Sequence, residues 1–140
     1  MTDTPWDRLR SDAASYPMMY GTGVDDRQIE KAETILGCRF DSAYVQFLRE
    51  FGGAMLGPEP LLGLQQAEVM GVDSWSVIEV TKRFRTDGWA GVDDWYVVSV
   101  DGSGNPVGVG RDGAVYISDH HGAGIVRLAT SFSEYLSGRV

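Results

Sequence analysis

The hydrophobic pattern of this chain changes period partway along, and that change limits what it can fold into. Between residues 25 and 53 apolar side chains recur every three or four positions. From residue 95 to 118 they fall instead in short β-branched runs broken by Asp-Gly and Arg-Asp-Gly. A 3.6-residue period gives a helix one apolar face, whereas short runs punctuated by glycine give the strands of a meander. Helices, then a meander, then a closing helix amount to an α+β domain.

The individual segments support that order. "WDRLRSDAASY" reads as a short first helix with Trp6 and Leu9 on one face. In "VDDRQIEKAETILG" Asp25 and Gln28 form a capping-box pattern, Ile29, Ala32 and Leu36 share a face, and Gly37 stops the helix. "FDSAYVQFLREFGG" repeats the design, with Asp41 as cap and Tyr44, Phe47, Leu48 and Phe51 as the apolar stripe. "GPEPLLG" reads as a breaker-rich link. A helix over "SWSVIEVTKRFR" puts Val77, Val80 and Phe84 inward and Lys82, Arg83 and Arg85 toward solvent; "TDGWAGVDDW" after it is a loop. Strands follow at "WYVVSV", "PVGVG" and "AVYIS". The last helix, "TSFSEYLSG", takes Ser131 or Thr130 as its cap and Phe132, Tyr135 and Leu136 as its apolar face.

At 140 residues the chain is expected to form one domain, and twelve bases against twenty acids give it a formal charge of -8. That balance argues against a phosphate-binding surface for nucleic acid and against an anionic membrane, and favours a basic partner. The amino terminus carries no basic head followed by an apolar run and no segment is long enough to span a bilayer, so the expected location is the cytoplasm. Cys38 is the only cysteine, which rules out an internal disulfide and a thiolate cluster. It is expected to be a buried structural thiol.

Three stretches imitate chemical sites. Gly108, Gly110 and Gly113 fit G-x-G-x-x-G, but they lead into a strand and not a helix, so the helix N-terminus that would hold a pyrophosphate is missing. Asp101, Ser103, Asn105 and Asp112 sit at calcium-loop positions, yet Pro106 replaces the glycine such a loop needs. An Asx-type turn between strands is the better reading. His120 and His121 are the only histidines; as adjacent strand residues they would face opposite sides, which speaks against a shared metal. Asp119 could orient His120 as a general base, but no nucleophile is organised around the pair. No catalytic residue, metal or cofactor is therefore expected. A metal-dependent protein using Asp101, Asp119 and His120 is the least favoured alternative.

Three quoted stretches together resemble the SMI1/KNR4 family of the SUKH superfamily, over about residues 25 to 136. In the first, Ile29, Glu33, Leu36, Gly37, Tyr44, Phe47, Leu48 and Gly53 occupy the family's matching positions. The second is "VSVDGSGNPVGVGRDGAVYISDHH", similar to the family's Asp/Gly-rich hairpin running into an Asp-His pair, here Asp119-His120. The third is "LATSFSEYL", similar to the closing helix. Asp41 stands where the family usually has Pro, and Gly52 where it usually has Asn; both substitutes suit a helix start and stop. The resemblance implies a mostly antiparallel sheet packed by helices. It also implies a non-catalytic immunity protein of a bacterial polymorphic toxin system, binding one toxin domain, often a nuclease. The fungal members instead act as regulatory interaction scaffolds.

From Thr86 to Gly122 there are six aspartates, Asp87, Asp93, Asp94, Asp101, Asp112 and Asp119, against Arg111 as the only base. Trp89 and Trp95 punctuate the same stretch. Aromatic anchors ringed by acids suit a surface that covers a basic cleft. Trp95 at a strand start is equally well read as core. Trp89, between Gly88 and Gly91, is the better anchor, with Asp87, Asp93, Asp94, Asp101 and Asp119 as partner-binding candidates.

Overall fold

The computed structural model describes residues 4–70, 76–122 and 124–140. Among them are α1 (Pro5–Ser15), α2 (Asp26–Leu36), α3 (Ser42–Glu50), β1 (Ala54–Leu56), β2 (Glu59–Leu61), α4 (Val77–Thr86), β3 (Tyr96–Val100), β4 (Pro106–Val109), β5 (Val115–Asp119), β6 (Gly124–Ala129) and α5 (Phe132–Arg139). The last four strands form an antiparallel sheet in the order β3-β4-β5-β6, and β1 and β2 form a separate hairpin. The α+β arrangement anticipated from the change of period is the one observed.

Local chemistry places the helices. The Gln28 N–H donates to Asp25 Oδ1 at 2.9 Å while the Asp25 N–H donates to Gln28 Oε1 at 3.2 Å, a reciprocal box that starts α2. Gly37, at φ +67, ends it. Asp41 caps α3 by accepting from the Ala43 N–H at 3.0 Å, and its own N–H donates to the Tyr96 hydroxyl at 2.9 Å. One residue thus starts a helix and fastens it to β3. Ser131, not Thr130, caps α5 by accepting from the Glu134 N–H. Thr130 instead donates its N–H to the Glu134 carboxylate.

The core sits between the sheet and helices α2, α3, α4 and α5. Tyr44 is its centre: its ring meets Phe40, Tyr96 and Phe132 at centroid distances of 5.2, 5.1 and 5.3 Å. Its hydroxyl, buried with it, donates to the Leu62 carbonyl at 2.7 Å. Each of these aromatic side chains contributes roughly 2 kcal/mol by leaving water, and the hydroxyl avoids the penalty of an unpaired polar group.

Four features depart from the sequence reading. The stretch 57–63, read as a breaker-rich link, instead supplies the turn and second strand of the β1–β2 hairpin, with Pro60 tolerated because the strand is short and lies in a two-stranded sheet. β6 was not anticipated. The fourth helix starts at Val77 with Ser76 as its cap; residues 74 and 75 of the expected helix lie outside the described residues. Finally, Arg85 does not join Lys82 and Arg83 in solvent. Its guanidinium donates to the carbonyls of Leu36 (2.9 Å), Val92 (3.2 Å) and Trp95 (2.7 Å). The planar fork satisfies three backbone acceptors at a junction of α2, α4 and the start of β3, which a helix-face pattern does not reveal.

Candidate partner-binding surface

The carboxyl end of α4 delivers Trp89. Asp87 caps the helix with its N–H on the carbonyls of Arg83 and Arg85, and Gly88 at φ +76 reverses the chain. The Trp89 N–H then donates to the Phe84 carbonyl at 3.3 Å, which folds the indole back over its own helix. Its ring meets the edge of Phe84 at 5.2 Å and of His120 at 4.7 Å. Trp89 is partly buried and packs against the edge of the core.

His120 is held from below by Asn105, which is only 3% exposed. The Nδ1 of His120 lies 2.7 Å from Asn105 Oδ1, and the His120 backbone N–H donates to the same oxygen at 3.3 Å. The Asn105 amide nitrogen donates to Asp101 Oδ2 at 3.1 Å, so its oxygen faces the ring and the ring nitrogen is the donor. Asp101 Oδ1 accepts from the backbone N–H groups of Ser103 (2.9 Å) and Asn105 (2.8 Å). Burial pushes the Asp101 carboxyl up, but the bonds from Asn105 and Ser103, aided by the charge of His121, outweigh it and hold the group below its ordinary value. The calcium-like spacing is thus an Asx turn whose carboxylate is occupied by its own hairpin.

The strand ends at Asp119, so His120 and His121 lie in the turn that follows and do not face opposite sides. Their rings are 4.0 Å apart. Asp119 does not orient the His120 ring; it accepts from the His121 N–H at 2.8 Å. Among the described residues no group of three or more His, Cys, Asp or Glu is placed to hold a metal ion.

Trp95 is core. It is 5% exposed and stacks on Tyr116 at 5.6 Å with the rings 11° from parallel. Gly108, the first glycine of the nucleotide-like motif, makes room for it: a Cβ there would stand 2.9 Å from the Trp95 Cβ. Gly113 serves the β4–β5 turn at φ +84. The spacing that imitates a phosphate cradle reflects one close approach and one left-handed turn.

The candidates divide into two groups. Trp89 meets His120 directly, Asp101 reaches it through Asn105, Asp119 bonds the neighbouring His121 N–H, and Asp87 lies at the end of α4 two residues before Trp89. Asp93 and Asp94 lie on a 3-10 turn, Val92–Asp94, beside a groove of about 850 Å3 lined by Glu30, Glu33, Cys38, Arg39, Asp94 and Arg111. There Asp94 pairs with Arg111 at 3.2 Å, which offsets part of the acidity. Cys38 is half-buried at this groove and not fully enclosed; burial pushes its thiol up, away from the reactive thiolate. The residue that reading by sequence undervalued is Asn105. Asp-x-x-x-Asn across a Gly-Asn-Pro turn was visible, but its reach to a histidine fifteen positions on was not.

The family model described as SMI1 / KNR4 family (SUKH-1) matches residues 23–138. The chain belongs to the SMI1/KNR4 family. The match runs from just before α2 into the last turn of α5 and leaves α1 outside it. Comparison with curated proteins gives no match. SMI1/KNR4 membership supports an immunity-type or protein-interaction module. No helix among the described residues is long and apolar enough to cross a membrane.

Proposed function

We propose that this SMI1/KNR4 protein is a non-catalytic immunity protein that binds and neutralises a cognate bacterial toxin domain, basic in character and of the nuclease type. The observation that carries the reading is Trp89: an indole pre-set between Phe84 and His120, with Asp101 tied to that histidine through Asn105, Asp119 beside it in the same turn and Asp87 two residues before the indole. A rigid, partly exposed aromatic ring loses little entropy on binding, and carboxylates beside it compete for the cationic groups that hold a nuclease's phosphates. The His120 ring is engaged by Asn105 and Trp89, so it acts as a support for the indole. The chain has a formal charge of -8, which steers it toward a cationic domain.

The test is co-expression with the toxin-type domain encoded beside the gene. Survival of the cells and co-purification of the two chains are expected. Cell death with both proteins present and soluble would contradict the proposal.

A further inference from the structure

The two edges of the main sheet are treated differently. The β3 edge is closed: the Leu62 N–H donates to the Val98 carbonyl at 2.7 Å, the Val97 N–H to Thr81 Oγ1 at 2.8 Å, and the Ser99 hydroxyl to the Pro60 carbonyl at 2.6 Å. β6 pairs with β5 on one side only, and among the described residues no other backbone group bonds to its far side. Its sequence, GIVRLA, has no proline, no lysine and a single charge, Arg127, and the register irregularity that skips Leu128 lies near its carboxyl end, leaving residues 124–127 in regular pairing with β5. Ile125, Val126 and Leu128 are 49%, 40% and 46% exposed. Unpaired strand backbone flanked by exposed apolar side chains is the geometry to which another strand adds.

Charge decides what that strand is. Asp119 pairs with Gly124 at the start of β6. Gly91, one residue before the turn that carries Asp93 and Asp94, lies against the Ile125 side chain. Asp112 and Glu134 both lie within electrostatic reach of Arg127. The one base on the strand is thus matched by two acids, and Asp119 stands opposite the start of the strand. A second copy would bring another formal charge of -8 against the first, whereas a cationic strand meets complementary groups.

We propose that β6 is the docking edge for an extended, lysine- or arginine-bearing strand of the protein partner, which adds to the sheet as a fifth strand. This deepens the binding-module reading and rests on it. The probe is an extended peptide alternating valine and lysine, with the same peptide carrying glutamate in place of lysine as control, both read by backbone amide exchange of the full chain. The lysine peptide at saturation is expected to slow exchange across β6 by about tenfold or more, less so in high salt, while the glutamate peptide does nothing. Val126→Lys, at an exposed position, is expected to remove that protection with its melting temperature unchanged. Unaltered β6 exchange, or equal slowing by both peptides, overturns the proposal. Protection that rises with protein concentration in the absence of peptide also overturns it, because the occupant is then a second copy. A toxin domain that binds while β6 exchanges as before overturns the strand addition alone; failure of the toxin domain to bind counts against the binding-module reading instead.

Discussion

The Nδ1 of His120 donates to Oδ1 of Asn105 across 2.7 Å, and that contact joins the β3–β4 hairpin to the Trp89 end of α4. Asn105→Ala removes it, together with the amide bond to Asp101, from a buried position. The expected loss of folding stability is about 2 kcal/mol, since the His120 donors are left without their partner. Near-ultraviolet circular dichroism should weaken as Trp89 loosens. The Asp101 carboxyl, followed by NMR titration, should rise toward its ordinary value. An unchanged Asp101 titration would show that the turn holds the carboxylate without Asn105.

Arg85 offers a second test. Replacing it with Met keeps the aliphatic stem but abandons three carbonyls. Urea denaturation should show a loss of about 3 kcal/mol, with Arg85→Lys intermediate because an ammonium cannot reach all three in one plane. Equal stability of the Met variant would mean that solvent reaches those carbonyls.

Gly108→Ala sets a Cβ 2.9 Å from Trp95, whereas Gly102→Ala enters open space. The first should cost about 1–3 kcal/mol and disturb the Trp95–Tyr116 stack; the second should be close to neutral. Thermal melts of the pair give a direct comparison. A neutral Gly108→Ala would show that the indole can shift at little cost.

Stability should fall on the acid side. Asp101 and Glu50 both titrate below their usual values, 3.8 and 4.5. For Glu50 the leading cause is its hydrogen bond from Arg10, at 2.7 Å. A carboxyl lowered by folding binds more protons when unfolded. Its contribution is therefore complete above the unfolded value and disappears as pH falls through the folded one. Melting temperature is expected to be level from neutral pH to about 5 and to drop below about 4, and Asp101→Asn with Glu50→Gln should flatten part of that drop. A profile as steep in the double variant as in the parent would place the linkage elsewhere.

What could be read from the residues was what local chemistry decides. The Asp25–Gln28 box, the Tyr44–Phe51 stripe and the β3–β5 runs declare themselves because each rule operates within a few residues. β6 escaped because GIVRLA exposes apolar side chains on both faces and its register slips past Leu128, so it lacks the alternation of a half-buried strand. β1 and β2 were hidden by the prolines of their turn and strand. Arg85 and Asn105 owe their roles to partners reached through the fold, at separations of up to 49 positions. Of the candidate surface, Trp89 and its aspartates were legible as composition. Their division between the His120 corner and the Arg111 groove was not.

The measurement that bears most directly on the central proposal is a calorimetric titration of the purified protein with the toxin-type domain, at low and high salt, for the parent and for Trp89→Ala. Because Trp89 is half-buried, the variant's melt is recorded alongside. Binding that weakens with salt, and a loss of about 2 kcal/mol or more in a folded Trp89→Ala, is the expected result. Binding indifferent to both salt and Trp89 would contradict it.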